Sequence, residues 1–138
     1  MSSAKKEKRE EKRIIYQEPV DACECMGWHL FVFKNEELLH ELPLEGKSCH
    51  WLGRNEEYSD IHLAHESCSK HHAVLQFRQP DEPALYVLDL SSTHGTFLNG
   101  VRLEAMRFYR LSSRDRIRFA ASTREYLVLH EGDEKGIE

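Results

Sequence analysis

The sequence predicts an all-β domain, a sandwich or a barrel built from many short strands. Three observations predict it. Short apolar runs bounded by turn residues recur every 8–12 residues or so. No window of twelve or more residues holds a good 3.6-residue period. The chain has 138 residues, 40% hydrophobic and 31% charged, which suffices for one core and leaves little room for a second.

The strands follow in order. Trp28–Phe33 is bounded by Gly27 and Asn35, and a weaker run, Leu38–Leu44, ends near Pro43 and Gly46. Cys49–Leu52 precedes Gly53, and Ile61 and Leu63 alternate with His62. Ala73–Phe77 follows a polar cluster, and Ala84–Leu90 follows the turn residues of 79–83. Thr96–Leu98 runs into Asn99-Gly100, a strong hairpin signal, with Val101–Leu103 as the return strand. Ile117 and Phe119 alternate with Arg116 and Arg118, and Tyr126–Leu129 closes the domain.

The ends read differently. Residues 1–25 form an arm, the domain occupies 26–130, and 131–138 are an acidic tail expected to fray. Residues 1–13 hold six basic and three acidic groups, net +3, so the other 125 residues sum to −8 within a total of −5. Glu–Lys spacings there are compatible with a helix, but no apolar face is available to bury. The arm is read as solvated chain or as a docking segment. Residues 14–26 read as irregular, interrupted at Pro19 and Asp21.

Composition excludes several classes. There is no run of 18 apolar residues, so no membrane-spanning helix and no membrane partner are expected. The charged start has no apolar stretch of the secretory kind. The four cysteines are therefore expected as free thiols in a cytosolic or nuclear protein. A globally acidic domain is a poor non-specific DNA binder. No metal is expected, because Cys23, Cys25, Cys49, Cys68 and the nine histidines fit no ordinary zinc spacing. Ser69 and His72 could pair as nucleophile and base only on paper, since no carboxylate is placed to orient the histidine and no nucleophile elbow occurs.

The chemistry-bearing residues fall in loops, where a sheet scaffold positions function. Gly53-Arg54 follows one strand, residues 67–72 precede another, and residues 91–96 join two more. An arginine offers parallel donors to a phosphate, serine and threonine hydroxyls donate to its oxygens, and lysine adds a point charge. The set lacks paired carboxylates for acid–base work. It suits holding a phosphate and not transferring one. Arg107, Arg110, Arg114, Arg116, Arg118 and Arg124 make the C-terminal third basic. The plainer reading of them is a solvated face balanced by nearby acids, and the sharper one a stripe for RNA or an acidic partner.

Three segments carry a resemblance. Gly53-Arg54, then Ser69 with His72, then Gly95-Thr96 with Asn99-Gly100 occur in the order and spacing of the forkhead-associated (FHA) family. The chain resembles that family over roughly residues 26–130, and most resembles its nuclear members linked to pre-mRNA retention and splicing. The resemblance implies a β-sandwich of two twisted sheets and about eleven strands, with phosphothreonine-peptide recognition and no catalysis or cofactor. It implies that Arg54 holds the phosphate bidentately, that Ser69 and Lys70 touch it, and that Thr93 lies against it. His94 stands where a peptide-backbone contact is made. Gly53, His72, Gly95 and Asn99 brace the loops. The implied partners are a phosphothreonine-containing protein and, through residues 1–25, an RNA-recognition-motif splicing subunit. RNA contact would be indirect, the location nuclear, and the chain a monomer within a larger complex. The rival from the residues is a phosphate-independent scaffold that docks through the N-terminal segment or the arginine face.

Overall fold

The two-residue turns place the strands. Asn99 and Gly100 both take positive φ (50° and 83°), which closes the hairpin between β7 (Thr96–Leu98) and β8 (Val101–Arg102). Asn35 and Glu36 do the same (52° and 65°) between β1 (Trp28–Lys34) and β2 (Glu37–Pro43). The computed structural model describes residues 3–134. The remaining strands are β3 (Cys49–Gly53), β4 (Ile61–His62), β5 (Ala73–Arg78), β6 (Ala84–Asp89), β9 (Tyr109–Arg110), β10 (Arg116–Phe119) and β11 (Glu125–His130). They form a sandwich of a six-stranded sheet, in order β2-β1-β11-β10-β7-β8, and a five-stranded sheet, β4-β3-β5-β6-β9. All pairings are antiparallel except β3 with β4. The expected all-β sandwich of about eleven strands is the fold observed.

Strand alternation builds the core. On β10, Ile117 and Phe119 point inward while Arg116 and Arg118 face solvent. They meet Leu30, Val32, Tyr126 and Val128 of their own sheet and Leu52, Leu75, Phe77, Leu85 and Val87 of the other. The tetrad Phe119, Leu30, Leu75 and Phe77 has no more than 1% of its surface exposed. The short β9 had no sequence signal, because a two-residue strand shows no alternation; it is held by pairing with Tyr86 and Val87.

The arm takes the regular structure that its Glu–Lys spacings allow. Residues Ser3–Ile15 form a helix, α1, with no buried residue of its own. It leads into Tyr16, which is 8% exposed and donates its hydroxyl to Gln76 Oε1 at 2.8 Å. Tyr16, Cys49, Trp51, Val74, Leu88 and Leu90 form a second apolar cluster on the outer face of the five-stranded sheet. That cover explains why all of Ala73–Phe77 is buried, not only alternate residues. The segment after Tyr16 stays on this sheet: Ala22 bridges Arg78, whose guanidinium grips both carboxylate oxygens of Asp21 (2.8 and 3.2 Å). At the other end, Glu131–Glu134 make one short helix, α2. Residues 135–138 of the expected tail lie outside the described residues.

Candidate functional site

One end of the sandwich gathers three loops: residues 54–60 after β3, 63–72 before β5, and 90–95 between β6 and β7. Backbone contact fixes the first to the second. A Cβ on Gly53 would lie 2.0 Å from the Lys70 carbonyl oxygen, so only glycine admits this approach. The Arg54 N–H donates to the Ser69 carbonyl (3.0 Å) and the Asn55 N–H to that of Lys70 (3.3 Å).

His72 fixes the second loop to the third. It is fully buried. Its Nδ1 accepts the Ser69 N–H at 3.0 Å, so Nε2 carries the proton and donates to the Gly95 carbonyl at 2.9 Å. Burial pushes its pKa down, against the Gly95 carbonyl and Asp89, which pull it up. The imidazole is neutral, and both its nitrogens are engaged. Neither meets the Ser69 hydroxyl, so the nucleophile pairing of Ser69 with His72 is not formed.

A buried carboxylate shapes the third loop. Asp89 accepts the Ser92 hydroxyl (2.6 Å), the Ser92 N–H (3.0 Å) and the Thr96 hydroxyl (2.7 Å), and Ser92 Oγ in turn accepts the Gly95 N–H (3.0 Å). These bonds turn the Thr93 N–H toward Ser69 Oγ, at 3.1 Å. Asp89, Ser92 and the Cys68 carbonyl were missed as site-shaping groups, although a D-x-x-S stretch before a glycine is a legible turn signal.

The sequence-selected residues thus come together with different parts to play. Arg54 donates Nε to the Cys68 carbonyl at 2.9 Å, which aims the guanidinium outward. Among the described residues its two terminal nitrogens have no partner, and no carboxylate pairs with Arg54, Lys70 or Arg102. Ser69 keeps its hydroxyl proton free. Lys70, Thr93 and His94 are exposed beside it. Asn99 is elsewhere: it ties the β7–β8 turn to β10 through the Arg116 N–H and Asp115. Arg102 was not selected, yet its side chain lies where a Gly95 Cβ would be, 2.6 Å from Nε, and so borders the third loop. Chemically, among the described residues this end presents unpaired cations, a free hydroxyl and a fixed loop, groups of the kind that can hold an anion.

Among the described residues half of the arginine face is ion-paired. Arg107, Arg110 and Arg116 pair with Glu104, Glu82 and Glu125, and Arg118 lies over the Phe97 ring. Among the described residues no three His, Cys, Asp or Glu side chains converge as metal ligands, and the four cysteines are free.

Comparison with known proteins agrees with this geometry. The sequence model of the FHA domain matches residues 50–120. Smad nuclear-interacting protein 1 of Mus musculus is 39% identical over 132 residues, covering 88% of this chain and 34% of its own length. The chain thus spans about a third of that relative. The yeast Pml1 splicing factor, solved with its integration into the RES complex, superposes with a TM-score of 0.75 at 25% identity, covering 83% of this chain and 95% of Pml1. The MEK1 FHA domain bound to a HOP1 phosphothreonine peptide superposes with a TM-score of 0.62 at 28% identity, covering 77% and 98%. On the family match, the sandwich and the three loop motifs together, this chain belongs to the FHA domain family.

Proposed function

We propose that this chain is a non-catalytic reader of phosphothreonine peptides, acting in a nuclear pre-mRNA splicing assembly. The observation that carries the reading is the outward, unpaired Arg54 guanidinium beside the free Ser69 hydroxyl, with the Thr93 N–H fixed on Ser69 Oγ at 3.1 Å. Arg54 would hold two phosphate oxygens, Ser69 would donate to a third, and Lys70 would add charge. The exposed Thr93 and His94 would align the peptide chain. Gly53, His72 and Gly95 would keep the three loops in place, and Asn99 would brace the adjoining hairpin. The MEK1 complex with a phosphothreonine peptide supports the ligand class. The names of Smad nuclear-interacting protein 1 and the Pml1 splicing factor support the setting. Residues 1–25 would meet an RNA-recognition-motif subunit of that assembly, with RNA reached through that partner.

The test is a fluorescence-anisotropy titration with matched phosphothreonine, phosphoserine and unphosphorylated peptide libraries. Charge-assisted hydrogen bonds contribute about 1.5–3 kcal/mol each. Arg54→Ala should therefore weaken phosphothreonine binding roughly tenfold or more. Binding that is indifferent to phosphate and to Arg54→Ala would refute the reading and favour the phosphate-independent scaffold.

A further inference from the structure

The helix α1 has no role in the phosphate contacts, yet its course leads to them. It runs antiparallel to β3. Tyr16 packs edge-on to Trp51 (ring centres 6.1 Å apart), and one turn earlier the Lys12 ammonium lies 5.0 Å from the centre of the same ring. Next to Lys12, Glu11 accepts the Tyr58 hydroxyl at 2.6 Å, and one further turn back the Lys8 ammonium lies 5.8 Å from the Tyr58 ring. Tyr58 belongs to the loop that Arg54 opens. Toward its N-terminus the helix thus passes from Trp51 of β3 to Tyr58 of the loop that follows β3.

His71 closes the remaining gap. It follows Lys70 in the chain, and its ring stands edge-on to both Trp51 (5.9 Å) and Tyr58 (5.3 Å). Burial lowers its pKa; of the neighbouring charges Glu11 raises it while Lys12 and Lys70 lower it, so the ring senses groups of both α1 and the loop. The Lys8 ammonium is thus linked to Lys70 through two ring contacts, 5.8 Å to the Tyr58 ring and 5.3 Å from Tyr58 to His71, a path that a few residues of extended chain span.

The charge distribution gives this proximity a meaning. α1 holds six basic and three acidic residues, while residues 14–138 sum to −8. Arg9 and Lys6 are exposed and have no ion pair among the described residues. The helix is the basic end of an otherwise acidic chain, and although Glu11 occupies the Tyr58 hydroxyl, Lys6, Lys8 and Arg9 give its exposed side a positive charge that attracts an anionic chain.

We infer that α1 is a second anion-binding element beside the phosphate site, so that the ligand is a phosphothreonine segment with further acidic or phosphorylated residues a few positions away. This rests on the phosphothreonine reading above and narrows its ligand class.

The experiment uses the full chain and three labelled peptides. One carries phosphothreonine in neutral flanks. The other two add a pair of phosphoserines four and five residues to its N-terminal or C-terminal side. One doubly charged peptide should bind about five- to tenfold tighter than the neutral-flank peptide, as expected for two or three exposed ion pairs. Lys8→Gln with Arg9→Gln should remove that gain and leave the neutral-flank affinity within about twofold. Lys6→Gln with Arg9→Gln, which touches no ring, should remove part of it with an unchanged melting temperature. Equal affinity for all three peptides, or equal weakening of all three by both variants, overturns the inference while leaving the phosphothreonine reading intact. Failure of every phosphopeptide to bind the unaltered chain overturns the underlying reading as well. A labelled oligouridylate completes the set: if the α1 variants weaken its binding and leave the peptide series flat, the helix is a nucleic-acid element and the inference fails.

Discussion

Gly53→Ala separates the role of backbone approach from that of side-chain contact. Gly53 is outside the left-handed region, so alanine meets no conformational barrier there, and space alone decides the outcome. The added Cβ would fall 2.0 Å from the Lys70 carbonyl oxygen, where real contacts stay above 3.0 Å, so the two loops must part by about 1 Å. Three backbone hydrogen bonds cross this seam: Arg54 N–H to Ser69 O (3.0 Å), Asn55 N–H to Lys70 O (3.3 Å) and His72 N–H to Leu52 O (2.9 Å). At about 1 kcal/mol each, their loss costs about 3 kcal/mol. The smaller entropy of an alanine-containing unfolded chain returns about 0.4–1 kcal/mol. The net destabilisation is about 2 kcal/mol, a fall in melting temperature of about 8 °C for a domain of this size. A 1 Å retreat of Ser69 also stretches its 3.1 Å bond from the Thr93 N–H beyond hydrogen-bond range. Phosphopeptide affinity should then fall roughly tenfold, the equivalent of one charge-assisted hydrogen bond. Calorimetric melting and anisotropy titration of the same preparation measure both. A melting temperature within 2 °C of the parent, with unchanged affinity, would refute the claim that this contact sets the loop geometry.

Three further outcomes follow from the same structure. His72→Phe keeps the bulk but leaves the buried Ser69 N–H and Gly95 carbonyl unpaired; chemical denaturation should show a loss of about 3 kcal/mol. Burial holds His50, His71 and His72 below their ordinary pKa. The unfolded chain therefore takes up these protons first, so stability from this source is complete above a pH of about 6.5 and declines as pH falls below it. Urea midpoints at pH 7.5 and 5.5 check the sign, and a higher midpoint at 5.5 would contradict it. Tyr16→Phe removes the hydroxyl that Gln76 accepts at 2.8 Å; it should cost about 1 kcal/mol in urea unfolding, and no change would mean that the N-terminal cover of the five-stranded sheet contributes no stability through this bond.

The parts of the fold written in local chemistry were legible. Asn99-Gly100 announces its turn because few other pairs accept two positive φ angles. The alternation of Arg116, Ile117, Arg118 and Phe119 announces one face in and one face out. The loop residues were legible through their order along the chain, and the structure sets Arg54, Ser69, Lys70, Thr93 and His94 at one end while Asn99 braces a neighbouring turn. The docking of α1 was not legible. Its contacts include ammonium groups over Trp51 and Tyr58 and the Glu11 carboxylate on the Tyr58 hydroxyl, with Ile15 alone packed on the apolar cluster, which leaves no apolar stripe in the helix sequence. A hint did exist: Ala73–Phe77 is apolar on both faces but for Gln76, so something had to cover the second face, and Tyr16 does. Arg102 was hidden for another reason. Its place beside Gly95 depends on the β7–β8 register, which pairs it with Phe97, and no motif encodes that.

The distribution of neutral and charged groups at the loop end explains how one surface is both stable and ready for an anion. Each cation is anchored through a part that leaves its charge facing out: Arg54 is held at Nε, and Lys70 through its backbone carbonyl. The groups that fix the loops are taken out of solvent. Asp89 is saturated by the Ser92 and Thr96 donors, and His72 is a neutral link with one donor and one acceptor in use. A protonated His72 would turn Nδ1 from acceptor to donor against the Ser69 N–H and push away the residue that the Thr93 loop rests on. Keeping that imidazole neutral therefore serves the core and the site by one device: the burial that stabilises the sandwich also preserves the acceptor that orients Ser69. Folding and the proposed binding would be coupled at this residue, while the exposed cations can be changed with little effect on the core, which is why Arg54 should move affinity alone and His72 both stability and affinity.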